Sequence, residues 1–316
     1  MVPHPVDYLF SAYSARKAMM FRDGWGDPSS IDRFTPESVD PRAVPDIEPT
    51  LGEPVATDEL VVRDGWFTSP AKDLPETIRR AQFRWMSRST NRAACLVLAG
   101  SREEGYGLRT SIHAPLVAQG VDMVFLENPY YGTRRPIGAV DANLRYVSDQ
   151  TKMHLATMDE AIVLLRWMRA RYARVAVAGY SMGGFMAALV GALSGERVAV
   201  AALAAGGSPA PVYTAGLLSR SVAFDALGAG DEGRARLASV FDRADLCRLP
   251  LPLEPRAASI VAMTLDGYVP RRETERLARH WRGSALRFEL SGHISAVFTR
   301  RQALRRAIRE SLDRLS

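Results

Sequence analysis

Six runs after residue 90 read as strands, the middle ones almost entirely apolar, and stretches of helical period separate them. They are "AACLVLAG" ending at Gly100, "VDMVFLE" (121–127), "RVAVAGY" (174–180), "RVAVAALAA" (197–205), "ASIVAMTLD" (258–266) and "ALRFELSG" (285–292). A strand with one wet face alternates apolar and polar residues. Near-continuous valine, isoleucine, leucine and alanine instead marks strands covered on both faces. Between the runs, Leu155, Met158, Ile162 and Leu165 recur every three or four residues, as do Leu304, Ile308 and Leu312 near the end. Strand followed by helix, repeated, predicts an α/β fold with a mostly parallel central sheet and helices on both faces.

Two regions break this rhythm. Residues 1–58 are rich in proline and acidic residues, with one helical stretch over Asp7–Phe21. They are expected to be an N-terminal extension packing on a core domain of residues 59–316. That domain opens with "ELVVRDGWFTSP" and "RRAQFRWMSR", which read as antiparallel strands. Residues 207–255 are too long for one crossover helix. They carry Val212, Tyr213, Leu217, Leu218, Val222 and Phe224, and are expected to form a helical lid over one edge of the sheet. Leu218 and Phe224 are its candidate substrate-facing residues.

With 47% hydrophobic residues in 316, the chain can bury a full core without staples. Its two cysteines, Cys95 and Cys247, form neither a disulfide framework nor a metal spacing. No metal or organic cofactor is expected. The net charge is +6, and nearly all the basic residues are arginines spread along the chain. A nucleic-acid partner would call for clustering on one element, so none is expected. An anionic ligand or peripheral contact with a membrane surface is compatible with the excess. No apolar run is long enough to span a bilayer and no apolar leader opens the chain, so the expected location is cytoplasmic. Oligomeric state is not legible here.

The run "RVAVAGY" leads into "SMGGFMAALVGAL", a strand meeting a small-residue helix at Ser181. G-x-S-x-G in that context is the nucleophile-elbow pattern. A sharp strand-to-helix turn holds the serine in strained backbone geometry, and side chains at 179 and 183 would collide with their neighbours. A serine hydroxyl needs a base, and the base needs an orienting acid. Of five histidines, His4 lies in the N-terminal stretch, His113 and His154 fall within predicted helices, and His280 closes one. His293 directly follows a strand in "SGHISAV", where an open α/β sheet builds its site. Asp266 ends the strand before it, giving the order Ser181, Asp266, His293. The oxyanion hole needs two main-chain N–H groups, expected from Met182 and from Ser101 or Arg102 in the loop after "LVLAG".

Further stretches narrow the reading. "RDGWGDP" (22–28), "LENPYYGTRRP" (126–136), "GYSMGG" (179–184), "TAGLLSRSV" (214–222), "DGYVPR" (266–271) and "GHISAVF" (292–298) resemble the alpha/beta-hydrolase domain-containing protein 18 family. The resemblance runs from about Asp7 to Leu315. It implies the alpha/beta-hydrolase fold and a triad of Ser181, Asp266 and His293. The stretch "AGSREE" from Ala99 departs from the family pattern, which leaves the second oxyanion donor open. In "ENPYYG", Asn128 and Tyr130 are candidate pocket residues. The alternative is that Pro129 and Gly132 shape the loop while the tyrosines pack.

The expected activity is cleavage of a carboxylic ester or thioester, with a small-molecule or lipid ester as partner. A perhydrolase or peptidase on the same triad, and a non-catalytic ligand-binding protein, are the competing readings.

Overall fold

The computed structural model of the protein describes residues 2–17, 19–36, 39–57 and 60–315. Among these, ten strands form one sheet: β1 Thr50–Leu51, β2 Val55–Thr57, β3 Leu60–Thr68, β4 Arg80–Ser87, β5 Ala93–Leu98, β6 Val121–Leu126, β7 Arg174–Tyr180, β8 Ala199–Leu203, β9 Ala258–Met263 and β10 Ala285–Glu289. The order is β1-β3-β4-β6-β5-β7-β8-β9-β10, with β2 paired to β3. Pairing is antiparallel from β1 to β6 and parallel from β6 onward. The parallel part follows from composition. Every residue of β5, β6, β8 and β9 is buried, so these strands require helices on both faces.

The helices are α1 Pro5–Lys17, α2 Pro28–Asp32, α3 Gly107–His113, α4 Val147–Arg169, α5 Met182–Leu193, α6 Ala210–Thr214, α7 Glu232–Asp242, α8 Arg271–His280, α9 His293–Thr299 and α10 Arg301–Arg314. Two core clusters lie on opposite faces of the sheet. One holds α4 and α5 residues such as Ile162, Leu165, Phe185 and Leu189; the other holds α3 and α10 residues such as Ile112, Leu304 and Ile308. None of the helices among the described residues is long and apolar enough to cross a membrane.

The N-terminal stretch differs from its expected single helix. The chain leaves α1 by Lys17, and Phe21 takes a left-handed φ of 60°. Met20 pairs instead with the insertion, donating its N–H to the Ser221 carbonyl at 2.7 Å. The helix itself is inside-out. Asp7, Ser11 and Ser14 are buried, whereas Val6, Leu9, Phe10 and Tyr13 are exposed. It docks through hydrogen bonds, with the His4 N–H to the Leu265 carbonyl and the Ser11 hydroxyl to the Leu217 carbonyl, each at 2.9 Å. Residues Ile31, Phe34 and Val44 then join the α4-side core.

Residues 207–255 hold α6, α7 and short 3-10 turns. Tyr213, Leu218, Val222, Leu237, Val240 and Phe241 are buried in the main core. The Tyr213 ring stands 4.6 Å from Phe241 and 6.0 Å from Phe21. The insertion is therefore tied to both the sheet and the N-terminal stretch.

Candidate active site

The parallel strands end in register, with Leu98 opposite Gly179 and Tyr180 opposite Leu203. The chain turns directly from β7 into α5 at Ser181, which adopts φ 59° and ψ −120°. That conformation is costly for a non-glycine residue and persists only when its surroundings enforce it. Here the Ser181 N–H is held by the Leu203 carbonyl at 2.8 Å. A side chain at Gly179 would run into the Gly183 carbonyl, and one at Gly183 into the carbonyls of Leu98 and Ala99. The two glycines permit the close packing that aims the hydroxyl outward.

Three side chains converge across 112 and 27 positions of sequence. His293 Nε2 lies 2.8 Å from Ser181 Oγ, and His293 Nδ1 lies 2.8 Å from Asp266 Oδ2. The other oxygen of Asp266 accepts the N–H groups of Tyr268 and Val269, both at 2.8 Å. His293 is buried between the rings of Tyr268 and Tyr180, at 4.9 and 5.3 Å, and its carbonyl accepts the Tyr180 hydroxyl at 2.6 Å. Burial opposes a charge on the imidazole. The charge and hydrogen bond of Asp266, with the charge of Asp7, outweigh it and raise the pKa above the ordinary histidine value.

Two other histidines come near without joining this line of contacts: His154 lines the same space as Ser181, and His113 a second space that also reaches it. Burial pushes His113 and His154 down to about 3, so both are neutral. His154 Nε2 meets the Gln150 amide at 2.7 Å, and His280 meets the Leu249 carbonyl at 3.0 Å. Cys95 is fully buried within β5, which pushes its thiol up. Among the described residues, no group of three or more histidine, cysteine, aspartate or glutamate side chains is placed to hold a metal ion.

Met182 is the first residue of α5, so its N–H has no intrahelical acceptor. Across from it, Ser101 lines the same space as Ser181, and Arg102 takes a left-handed φ of 61°. The residues that depart from the family pattern scaffold this loop. Glu103 accepts the Gly100 N–H at 3.0 Å and Arg109 Nε at 2.9 Å. Buried Arg109 also donates to the carbonyls of Val97 and Leu126, each at 2.7 Å. Glu104 accepts the Gly132 N–H at 3.0 Å and pairs with Arg135.

Two cavities meet at Ser181. The smaller, about 450 Å³, runs beneath Met182 and Phe185 to Val212, Tyr213 and Leu218. The larger, about 1060 Å³, extends between α3 and α9 past Leu108, Ile112, Val297 and Phe298. Ser101, Val212 and Leu218 line both. Phe224 is not among the lining residues and stacks under Arg234 at 3.8 Å. Asn128 and Tyr130 do not line either cavity and are buried in the loop after β6. In that loop Glu127 accepts N–H groups from Gly105 and Thr133 at 3.2 and 3.3 Å. A side chain at Gly132, where φ is 54°, would collide with that carboxylate. The Tyr131 hydroxyl approaches Ser101 and the Arg102 main chain without reaching hydrogen-bonding geometry. The loop thus braces the one that carries Ser101.

Solved structures share the fold. Acetyl xylan esterase 1 from Thermoanaerobacterium matches with a TM-score of 0.62 at 16% identity, over 96% of this chain and 98% of that one. An S-formylglutathione hydrolase from Agrobacterium tumefaciens matches at 0.56 and 14% identity, over 84% and 100%. An acetyl xylan esterase from a Paenibacillus species matches at 0.53 and 12%, over 96% of each chain. At such identities the likeness establishes the fold: an alpha/beta-hydrolase sheet. The family model described as alpha/beta hydrolase domain containing 18 matches residues 18–233 and 228–314. With nearly its whole length matched, the chain belongs to the alpha/beta hydrolase domain containing 18 family.

Proposed function

We propose that the protein is a serine hydrolase that cleaves a carboxylic ester or thioester through an acyl-enzyme. The observation that carries this reading is the continuous line of contacts Ser181 Oγ–His293 Nε2–Asp266, at 2.8 Å for each link. It opens on a cavity with mostly apolar walls. In the proposed reaction His293 takes the Ser181 proton as Oγ attacks the carbonyl carbon. Asp266 fixes the Nδ1–H tautomer and offsets the imidazolium charge. The oxyanion faces the Met182 N–H and an N–H of Ser101 or Arg102. His293 then protonates the departing alcohol or thiol. Water, deprotonated by the same imidazole, releases the acid and restores Ser181.

The names of the similar solved structures, acetyl xylan esterases and an S-formylglutathione hydrolase, support ester or thioester chemistry over peptide cleavage. The apolar walls support an acyl group as the bound part.

A fluorophosphonate probe and a series of p-nitrophenyl esters test the reading. Wild type is expected to label at one serine and to turn over esters, and Ser181→Ala to lose both. Turnover should fall by about 10⁴-fold or more, because the three residues act as a unit. Equal labelling of the two proteins would remove Ser181 as the nucleophile.

A further inference from the structure

A carboxylate that accepts several main-chain N–H groups fixes those peptides relative to one another. Asp7 does this from the far end of the chain. Its side chain is fully buried. Oδ2 accepts the N–H of His293 at 2.8 Å and that of Gly267 at 3.0 Å, and Oδ1 accepts the N–H of Ile294 at 2.9 Å. Gly267 follows Asp266, and Ile294 follows His293. One carboxylate therefore joins the turn that holds the acid to the turn that holds the base. The His4 N–H to Leu265 and a long Tyr268 hydroxyl contact to the Asp7 carbonyl at 3.4 Å add to these ties.

The choice of an acid at this point has a chemical reason. Three N–H donors converge on the carboxylate, and an ionised group takes such bonds at about twice the strength of a neutral one. A side chain at Gly292 would clash with His4 and with Asp7 Oδ1, so the chain passes close beneath α1 here. The rest of α1 contributes little apolar burial, since its inner face is Asp7, Ser11 and Ser14. Apart from the Ser11 hydroxyl bond to the Leu217 carbonyl, the bonds that hold the helix also order the two turns.

We infer that Asp7 is a positioning residue that sets the Asp266–His293 geometry and supplies a second negative charge behind the imidazole; this rests on the hydrolase reading above. The charged and titratable groups around His293 include Asp266 from the β9 turn, Asp7 from α1, His4 against Gly292, Tyr180 at the end of β7 and Tyr268. Across the shared cavity lie Arg102 and the Arg109–Glu103 pair. Removing the Asp7 charge takes away one of the two carboxylates that favour the imidazolium, Asp266 being the other, so the imidazolium becomes easier to deprotonate.

The test compares full-length wild type with Asp7→Asn, Asp7→Glu and Ser11→Ala, using p-nitrophenyl acetate and a check of folding by thermal melting. Asp7→Asn is expected to lower kcat about 10- to 100-fold with KM within about twofold. The acid limb of its pH–rate profile should move down by roughly half to one unit. Asp7→Glu keeps the charge and should keep the limb near its wild-type position. Ser11→Ala loses a bond of the same helix to Leu217 and should leave the limb unmoved, which separates loosened docking from loss of charge. A folded Asp7→Asn with wild-type kcat and limb overturns the inference, and so does a limb that moves equally in Asp7→Glu and Asp7→Asn. NMR titration of the His293 ring reads the same shift without turnover. If wild type cleaves no ester, the hydrolase reading fails alone, and an unchanged His293 titration in Asp7→Asn still sinks the role of Asp7. Should Asp7→Asn not fold, Asp7→Ser retains an acceptor oxygen without the charge and carries the same expectations.

Discussion

Asp266 divides its two oxygens between different tasks. Oδ1 closes the turn through Tyr268 and Val269, and Oδ2 receives His293 Nδ1. Asp266→Asn can keep the turn, but an amide nitrogen facing Nδ1 favours the tautomer with its proton on Nε2. That tautomer cannot accept the Ser181 proton. Turnover should fall about 10⁴-fold with little change in melting temperature, and a loss below about tenfold would contradict the orienting role. The raised pKa of His293 gives two pH effects of opposite direction. Its contribution to stability is fully present below about pH 6.5 and is lost as pH rises through the folded pKa. Activity needs the neutral ring, so kcat/KM should climb through that same pKa and reach half its maximum above pH ~6.5. Ser181, Asp266 and His293 were legible as a candidate set because each lies at the end of a strand run at the same edge of the sheet, where the three side chains come within hydrogen-bonding distance. Asp7 was not, because an acid in a helix whose apolar residues face outward reads as a solvated charge.

At the scale of elements, the loop after β6 is set by one ion pair. Arg134 is 1% exposed and Glu160 on α4 is 0%. They meet through two bonds at 2.7 and 2.6 Å, and the guanidinium also donates to the carbonyls of Ile78 and Glu127. Removing one partner leaves a buried charge unpaired. Glu160→Ala should cost about 3–5 kcal/mol in urea unfolding, whereas a well-packed apolar pair at both positions should recover much of that loss. A cost under about 1 kcal/mol for Glu160→Ala would mean that water or another group takes the glutamate's place. The strands β5 to β10 were readable as runs and β3 and β4 as an antiparallel pair, and the spacing of Leu155, Met158, Ile162 and Leu165 falls within α4. The strands β1 and β2 were not. They hold two and three residues, too few for a period to show, and pairing with β3 makes them strands. The spacing of Leu304, Ile308 and Leu312 falls within α10, and Arg300 separates that helix from α9, a break that periodicity alone does not mark.

For the whole molecule, the insertion between β8 and β9 is the element least fixed by pattern. Its apolar residues were expected to cover substrate, yet most are packed into the core, and only a few, Val212 and Leu218 among them, also face the cavities. Leu218→Ser should lower kcat/KM for long-chain p-nitrophenyl esters about tenfold relative to acetate, with fluorophosphonate labelling retained. An unchanged chain-length profile would assign Leu218 to packing only. The inside-out α1 has a further consequence, for the order in which a cell makes the parts. Asp7 and the His293 main chain are 286 positions apart. A ribosome exposes the first turn of the protein early and the histidine late. Until then the nascent chain carries Ser181 without the imidazole that stands beside it in the folded protein, and Asp7 without two of its three N–H donors. The contact of Asp7 with the His293 main chain, and that of His293 with Ser181, are thus among the last that synthesis permits.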